Sequence, residues 1–303
     1  MTLNINNTIK SLFTALIVLF APALMAQTLY SVTSGDDQLR RINPADAATL
    51  SVTTMTLAGQ TISGATGAAT HPASNQLWVL LKATGGSGRL LGTVNVGTGV
   101  VTAIGYTGEK FAGISFNEDG SILYGVTGDG SSTPESLFSL SQATGAAVLL
   151  TALGNGDDGE AIAVYPPDGL IYHASGHDGS DVIFEKINPN TFAITDIPLA
   201  GNALEDEEAQ ALVPIVGGFL WKQDHDDGPL YSVTTAGVPT LIGIMDHQAK
   251  GLAYVPAIFG AQEENAAVPV PTLGKVSLIA LILSMLLLGS LAAARMKKAS
   301  STT

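Results

Sequence analysis

The chain has no cysteine. That excludes a disulfide framework and a cysteine-acylated lipoprotein anchor, and leaves stability to burial, which a chain of 303 residues can supply. Cations are scarce in the body of the sequence. Between Gln27 and Gly274 only eight Lys or Arg stand against all 26 Asp and Glu, a net charge of −18. Nucleic acid and anionic lipid headgroups are poor partners for such a surface, whereas cations and cationic surfaces suit it. Helical periodicity is nearly absent between Gln27 and Pro256. The signatures of common enzyme chemistry are missing too. Gly64-Ala-Thr-Gly-Ala-Ala and Gly85-Gly-Ser-Gly open no helix, so they read as turns rather than phosphate cradles. There is no His-Glu-x-x-His and no Gly-x-Ser-x-Gly elbow.

What is present begins with apolar runs at both ends. Residues 1–26 hold one cation, Lys10, an apolar stretch from Leu12 to Leu24 and a small-residue exit ending at Ala26. That is the layout of a secretory signal peptide, too short and too early for a good membrane span. At the other end, Val276 to Ala294 is a run of 19 residues without a charge. At ~1.5 Å rise per residue it covers about 30 Å, the thickness of a bilayer's hydrocarbon core. Arg295, Lys297 and Lys298 follow at once, and cations flanking a span stay on the cytoplasmic side. A buried core helix would keep a polar stripe, which this run lacks. The expected layout is a signal peptide at 1–26, an exported domain at 27–258, a polar, proline-marked linker at 259–274, a transmembrane helix at 275–294 and a basic cytoplasmic tail at 295–303.

Between the ends the sequence repeats. An aliphatic-aromatic pair recurs as Leu29-Tyr30, Leu77-Trp78, Leu123-Tyr124, Ile171-Tyr172 and Leu220-Trp221, with second members 48, 46, 48 and 49 residues apart. Each pair is followed by an alternating apolar and polar segment, such as Leu39-Arg-Arg-Ile-Asn-Pro or Ile183-Phe-Glu-Lys-Ile-Asn-Pro. That reads as a half-buried strand running into a turn. A third mark is a short segment of small and apolar residues, including Ala112-Gly-Ile-Ser-Phe, Glu160-Ala-Ile-Ala-Val-Tyr-Pro and Gly251-Leu-Ala-Tyr-Val-Pro. Small residues suit strands crowded around an axis. Outer strands such as Val148 to Leu153 complete a four-stranded unit.

Four strands every 46 to 49 residues is the period of a propeller blade. The series opens on an aliphatic-aromatic strand and finishes on a small-residue one, so the last can complete the first blade and remove two exposed edges. The fold class is therefore all-β: a five-bladed β-propeller of four-stranded antiparallel blades, closed by pairing of the first and last repeats, plus a C-terminal transmembrane helix. A β-sandwich or a solenoid competes, but an open solenoid gives no reason for the offset ends.

Two family resemblances follow from these residues. The small-residue strand, Pro/Asp/Gly turn and aliphatic-aromatic strand resemble the propellers of the YncE-like and related bacterial surface-repeat families, across most of residues 27–258. The tail is similar to the IPTL-CTERM protein-sorting signal: Val270, Pro271, Thr272 and Leu273, then the apolar span, then Arg295, Lys297 and Lys298. That resemblance covers residues 269–299. It implies recognition by an exosortase-type membrane transpeptidase, cleavage near the motif, and transfer to the bacterial cell envelope or surface.

The acids follow the repeat. If strand direction alternates within each blade, loops between second and third strands share a face with the connections between blades. Asp36-Asp37, Asp129, Asp178 and Asp224 to Asp227 fall in the first class. Glu109, Asp157 to Glu160, Glu205 to Glu208 and Asp246 fall in the second. Stacking so many carboxylates is costly unless solvent, salt or a cation offsets it, and hard cations such as Ca²⁺ take several carboxylate oxygens. Asp157, Asp158, Glu160, Glu207, Glu208, Asp224, Asp226 and Asp227 are the candidate ligands for a divalent cation or a cationic ligand. A plainly solvated acidic face is the competing reading. His177, His225 and His247 share this face but sit in different repeats, which argues against zinc.

The function expected is that of a non-enzymatic binding or structural module, anchored in or displayed on the envelope. The competing class is a glycoside hydrolase-like enzyme with Glu160 and Glu208 as acid and base. Against it, the chain has only two Trp, both at one strand position.

Overall fold

The computed structural model describes residues 27–128, 130–154, 161–176, 182–201, 204, 208–224 and 228–259. In chain order the strands are β1 (Thr28–Thr33), β2 (Gln38–Ile42) and β3 (Thr49–Thr54), then β4 (Ile62–Thr70), β5 (Leu77–Ala83), β6 (Leu90–Val94) and β7 (Val101–Tyr106). There follow β8 (Phe111–Phe116), β9 (Leu123–Thr127), β10 (Ser136–Leu140) and β11 (Ala147–Ala152), and β12 (Ala161–Tyr165), β13 (Leu170–Ser175), β14 (Ile183–Ile187) and β15 (Ile194–Asp196). The last are β16 (Ala209–Ile215), β17 (Gly218–Gln223), β18 (Pro229–Thr234), β19 (Pro239–Ile244) and β20 (Ala249–Val255).

They form five four-stranded antiparallel sheets. Blades 2 to 5 each use four consecutive strands, beginning at β4, β8, β12 and β16. Blade 1 has the order β20-β1-β2-β3, so the final strand completes the first blade. Leu29 pairs with Tyr254, Tyr30 with Ala253 and Ser31 with Leu252. The first strand of each sheet contacts its counterparts in both neighbouring blades, which closes a ring of five.

Burial lies between blades. Five apolar clusters occupy the five seams, for example Tyr30, Leu39, Met55, Leu77 and Val79 between blades 1 and 2. In blades 1 to 4 the aliphatic member of each pair faces the preceding blade and the aromatic member faces the following one. Blade 5 departs from this and corrects the sequence alignment of Leu220-Trp221. There Leu220 faces blade 1, while Phe219 and Trp221 face blade 4. The β16–β17 turn is a tight one, with Ile215 opposite Gly218. A strand displaced by one residue presents every side chain to its other side. Rings therefore gather in the seam between blades 4 and 5. Tyr172 lies 4.7 Å from Phe219, and Phe184 lies 5.3 Å from Trp221.

At the axis, small residues let strands touch through their backbones. A Cβ placed on Gly67 would lie 3.2 Å from Gly113 Cα, and one on Gly251 would lie 2.6 Å from Ala68 N. The turns after the third strands reuse one device. Asn43, Asn95 and Asn188 each accept backbone N–H groups through Oδ1, from Ala45, Gly97 and Asn190 respectively. Asn mimics a backbone turn in this way, so the strand–Asn–turn pattern is local chemistry.

Candidate functional site

Alternating strand direction gives the ring two unlike faces. The upper face carries the loops between second and third strands and the connections between blades. The lower face carries the remaining turns and both ends of the described body. Among the candidate cation ligands, Glu208 and Asp224 are described. They flank β16 and β17 at the upper end of blade 5, where Asp224 N donates to Glu208 O at 2.7 Å. Gln210 Nε2 donates to Glu208 Oε2, and Lys250 Nζ lies 3.8 Å from the same oxygen. Gln210 and Lys250 line the upper part of the axial channel, whose wall is otherwise Gly, Ala, Ile and Leu. Asp157, Asp158, Glu160, Glu207, Asp226 and Asp227 lie outside the described residues, as do His177 and His225. Among the described residues no group of three or more His, Asp and Glu is placed to hold a metal ion. The sorting-like motif Val270 to Leu273, the apolar run and Arg295, Lys297 and Lys298 also lie outside them. No helix among the described residues is long and apolar enough to cross a membrane.

The upper face also holds cations, which the count of acids by loop had left aside. Arg40 grips the Asp36 carboxylate with both terminal guanidinium nitrogens, at 3.0 and 2.5 Å. Burial pushes the Asp36 carboxyl up, but the bonds from Arg40 and the Gln38 N–H outweigh it and hold it below its usual range. Lys82 Nζ donates to Ser34 O at 2.9 Å, and Arg89 Nε to Phe111 O at 3.3 Å. Glu109 is tied down by Ser131 and Ser132. Burial raises its pKa, and those hydrogen bonds more than reverse the effect.

Two histidines sit in buried polar contacts. His173 Nδ1 lies 2.9 Å from Glu185 Oε1, both side chains fully buried and directly opposed across β13 and β14. The other contact crosses the ring closure. His247 Nε2 is 2.7 Å from Ser31 Oγ, and its Nδ1 is 2.8 Å from Asp246 Oδ1, which also accepts from Thr49 Oγ1 at 2.7 Å. Both ring nitrogens are therefore engaged. The order Ser–His–Asp is that of an activated nucleophile, but Ser31 is 0% exposed, so its hydroxyl is closed to a substrate. No sequence motif marks this contact, because Ser31 and His247 are 216 residues apart. The one available signal was the ring closure itself, which lays the loop before β20 against β1.

The lower face differs in chemistry. After β20 the chain crosses the axial mouth. Ala257 N donates to Asn75 Oδ1 at 3.2 Å, Gln27 Nε2 donates to Ala257 O at 3.3 Å, and the Phe259 ring stands edge-on to Tyr165 at 5.7 Å. Beneath this segment is a cavity of about 70 Å³, lined mainly by apolar side chains such as Ile114, Val164, Leu212 and Leu252. Gln27 and Phe259 thus leave the body on the same face, opposite the described acids Asp36, Glu109, Glu208, Asp224 and Asp246.

No family model matches the chain, and no curated protein matches it. Among solved structures, a chain of a nidogen/laminin complex is similar with a TM-score of 0.52 and 10% identity, over 76% of this chain and 98% of that one. A protein of unknown function from Bacteroides caccae matches with a TM-score of 0.48 and 14% identity, over 76% of this chain and 99% of that one. TolB from Acinetobacter baumannii matches with a TM-score of 0.45 and 13% identity, over 81% of this chain and 70% of that one. At such identities the first of these likenesses is one of fold alone.

Proposed function

We propose that this chain is an exported, envelope-anchored or surface-displayed propeller that works as a binding or structural module rather than an enzyme, and that its upper loops meet a divalent cation or a cationic ligand. The carrying observation is the division between faces. Both ends of the described body leave from the lower face, with Gln27 bonded to Ala257, and the described acids Asp36, Glu109, Glu208, Asp224 and Asp246 lie at the upper ends of their strands. Loops on the face away from Gln27 and Phe259 are free of the segment that crosses the axial mouth, so a partner can reach them. Loops on a rigid scaffold are the usual seat of binding. The signal-peptide pattern, the uncharged run and the sorting-like tail support export, membrane insertion at 275–294 and handling by an exosortase-type enzyme.

Fractionation tests the placement. The full chain should pellet with membranes and resist carbonate extraction, and removal of residues 275–303 should release it. Recovery of both forms in the cytosol would end this reading. The cation is tested separately, by thermal melts with Ca²⁺ and with chelator. A higher midpoint with Ca²⁺ supports it, and equal midpoints remove it.

A further inference from the structure

We propose that the ring is fastened by an acid-labile clasp: the connection before β20 is tied to β1 through His247 and Ser31 and to β3 through Asp246 and Thr49, and protonation of His247 loosens the pairing of the last strand with the first. The proposal does not depend on the anchor or on a bound cation.

The clasp sits at the ring closure. Within blade 1, strands β1, β2 and β3 follow one another in the chain. β20 arrives from the far end of the chain and adds to the sheet through β1 alone. Its ladder is regular from Thr28–Val255 to Val32–Gly251, then shifts before Thr33 pairs with Ala249. The first strands of blades 2, 3 and 5 carry the same shift at their upper ends; beside the one in β20 stand four side chains, with one bond to β1 and one to β3.

The hydrogen-bond chain fixes the ring's protonation. A carboxylate can only accept, so Nδ1 carries the hydrogen toward Asp246, and neutral Nε2 accepts from the Ser31 hydroxyl. Adding a proton puts a second N–H on Nε2. Ser31 Oγ must then accept, and its own hydrogen must find another partner in a site that is 0% exposed. The surroundings resist the charge as well. Burial is the largest influence on His247, and the Arg40 and Lys222 cations repel a third positive group. Asp246 attracts it but is outweighed, and the charge of Asp36 is engaged by Arg40. His247 therefore titrates below its usual range in the closed ring and near about 6.5 once the clasp is open. A group held below its ordinary value gives stability that is complete above that value and is lost as pH falls toward the folded one.

Hydrogen exchange measured by mass spectrometry on the full-length chain reads this directly. The quantity is the opening of β1 and β20 amides relative to those of blade 3, whose strands hold no histidine, at pH 8 and pH 5 after correction for intrinsic rates. Between the two pH values the ratio should rise, by at most about thirty-fold, the limit set by an open-state value near 6.5. In His247→Gln, which cannot titrate, it should not change with pH. Ser31→Ala removes only the hydroxyl and should raise the ratio at pH 8 several-fold, an arm that stands even where the His247 variant fails to fold. A ratio that is flat in the wild type, a pH dependence retained by His247→Gln, or an unchanged ratio at pH 8 in Ser31→Ala overturns the clasp.

Discussion

Gly251 is where the ring tolerates least. An added methyl there would stand 2.6 Å from Ala68 N, 2.8 Å from Gly67 C and 2.9 Å from Val32 Cγ2. Two of the three atoms are backbone of β4, the strand against which the closing strand packs. A side chain could rotate away, but a backbone atom moves only if β4 shifts, and β4 is held in turn against Gly113. Overpacking of a core costs about 1–3 kcal/mol, and a clash with fixed backbone belongs at the upper end. Gly251→Ala should therefore lose about 3 kcal/mol. At about 2–4 °C per kcal/mol for a domain of this size, the midpoint falls by about 6–12 °C. Gly169→Ala is the comparison. Its φ is +69° and nothing lies within 4 Å of the added carbon, so it pays only the left-handed backbone penalty, about 1–2 kcal/mol. Melts followed by far-UV circular dichroism compare the two. A Gly251→Ala midpoint within about 2 °C of wild type, or above that of Gly169→Ala, would refute the claim that the inner strands meet backbone to backbone.

Three further outcomes are expected. Trp221→Ala should cost about 3–5 kcal/mol by denaturant titration, because its ring fills the seam between blades 4 and 5, whereas Leu241→Ala, on an outer strand and 56% exposed, should stay within about 0.5 kcal/mol of wild type. Asn188→Ala leaves the N–H groups of Asn190 and Thr191 without their acceptor and should cost about 1 kcal/mol in the same titration. Glu109→Gln should be less stable than wild type at neutral pH, where hydrogen bonds from Ser131 and Ser132 hold the wild-type carboxyl below its usual range. Melts at descending pH should show the two proteins converging as the Glu109 carboxylate takes up its proton, and a gap that widens in acid would contradict that account.

Much of this architecture is local, and local chemistry can be read from one chain. Alternation along a strand, Asn turns and a spacing of 46 to 49 residues each depend on a few neighbouring residues, so the sequence by itself determined the blade, the number of repeats and the offset ends that imply closure. Which loops share a face was legible for the same reason, since strand direction alternates within each sheet. Three other features belong to the tertiary structure. The tight β16–β17 turn turned Leu220 and Trp221 to opposite seams from their counterparts, and only the assembled register shows which side of a strand meets which blade. The cations Arg40, Lys82, Arg89, Lys222 and Lys250 sit on strands and connections that carry them to the acidic face, which a count of acids by loop does not reveal. Ser31 and His247 meet across the whole chain because ring closure places the loop before the last strand over the first. No sequence interval encodes that contact; it exists only once five seams have packed and the final strand has found its partner.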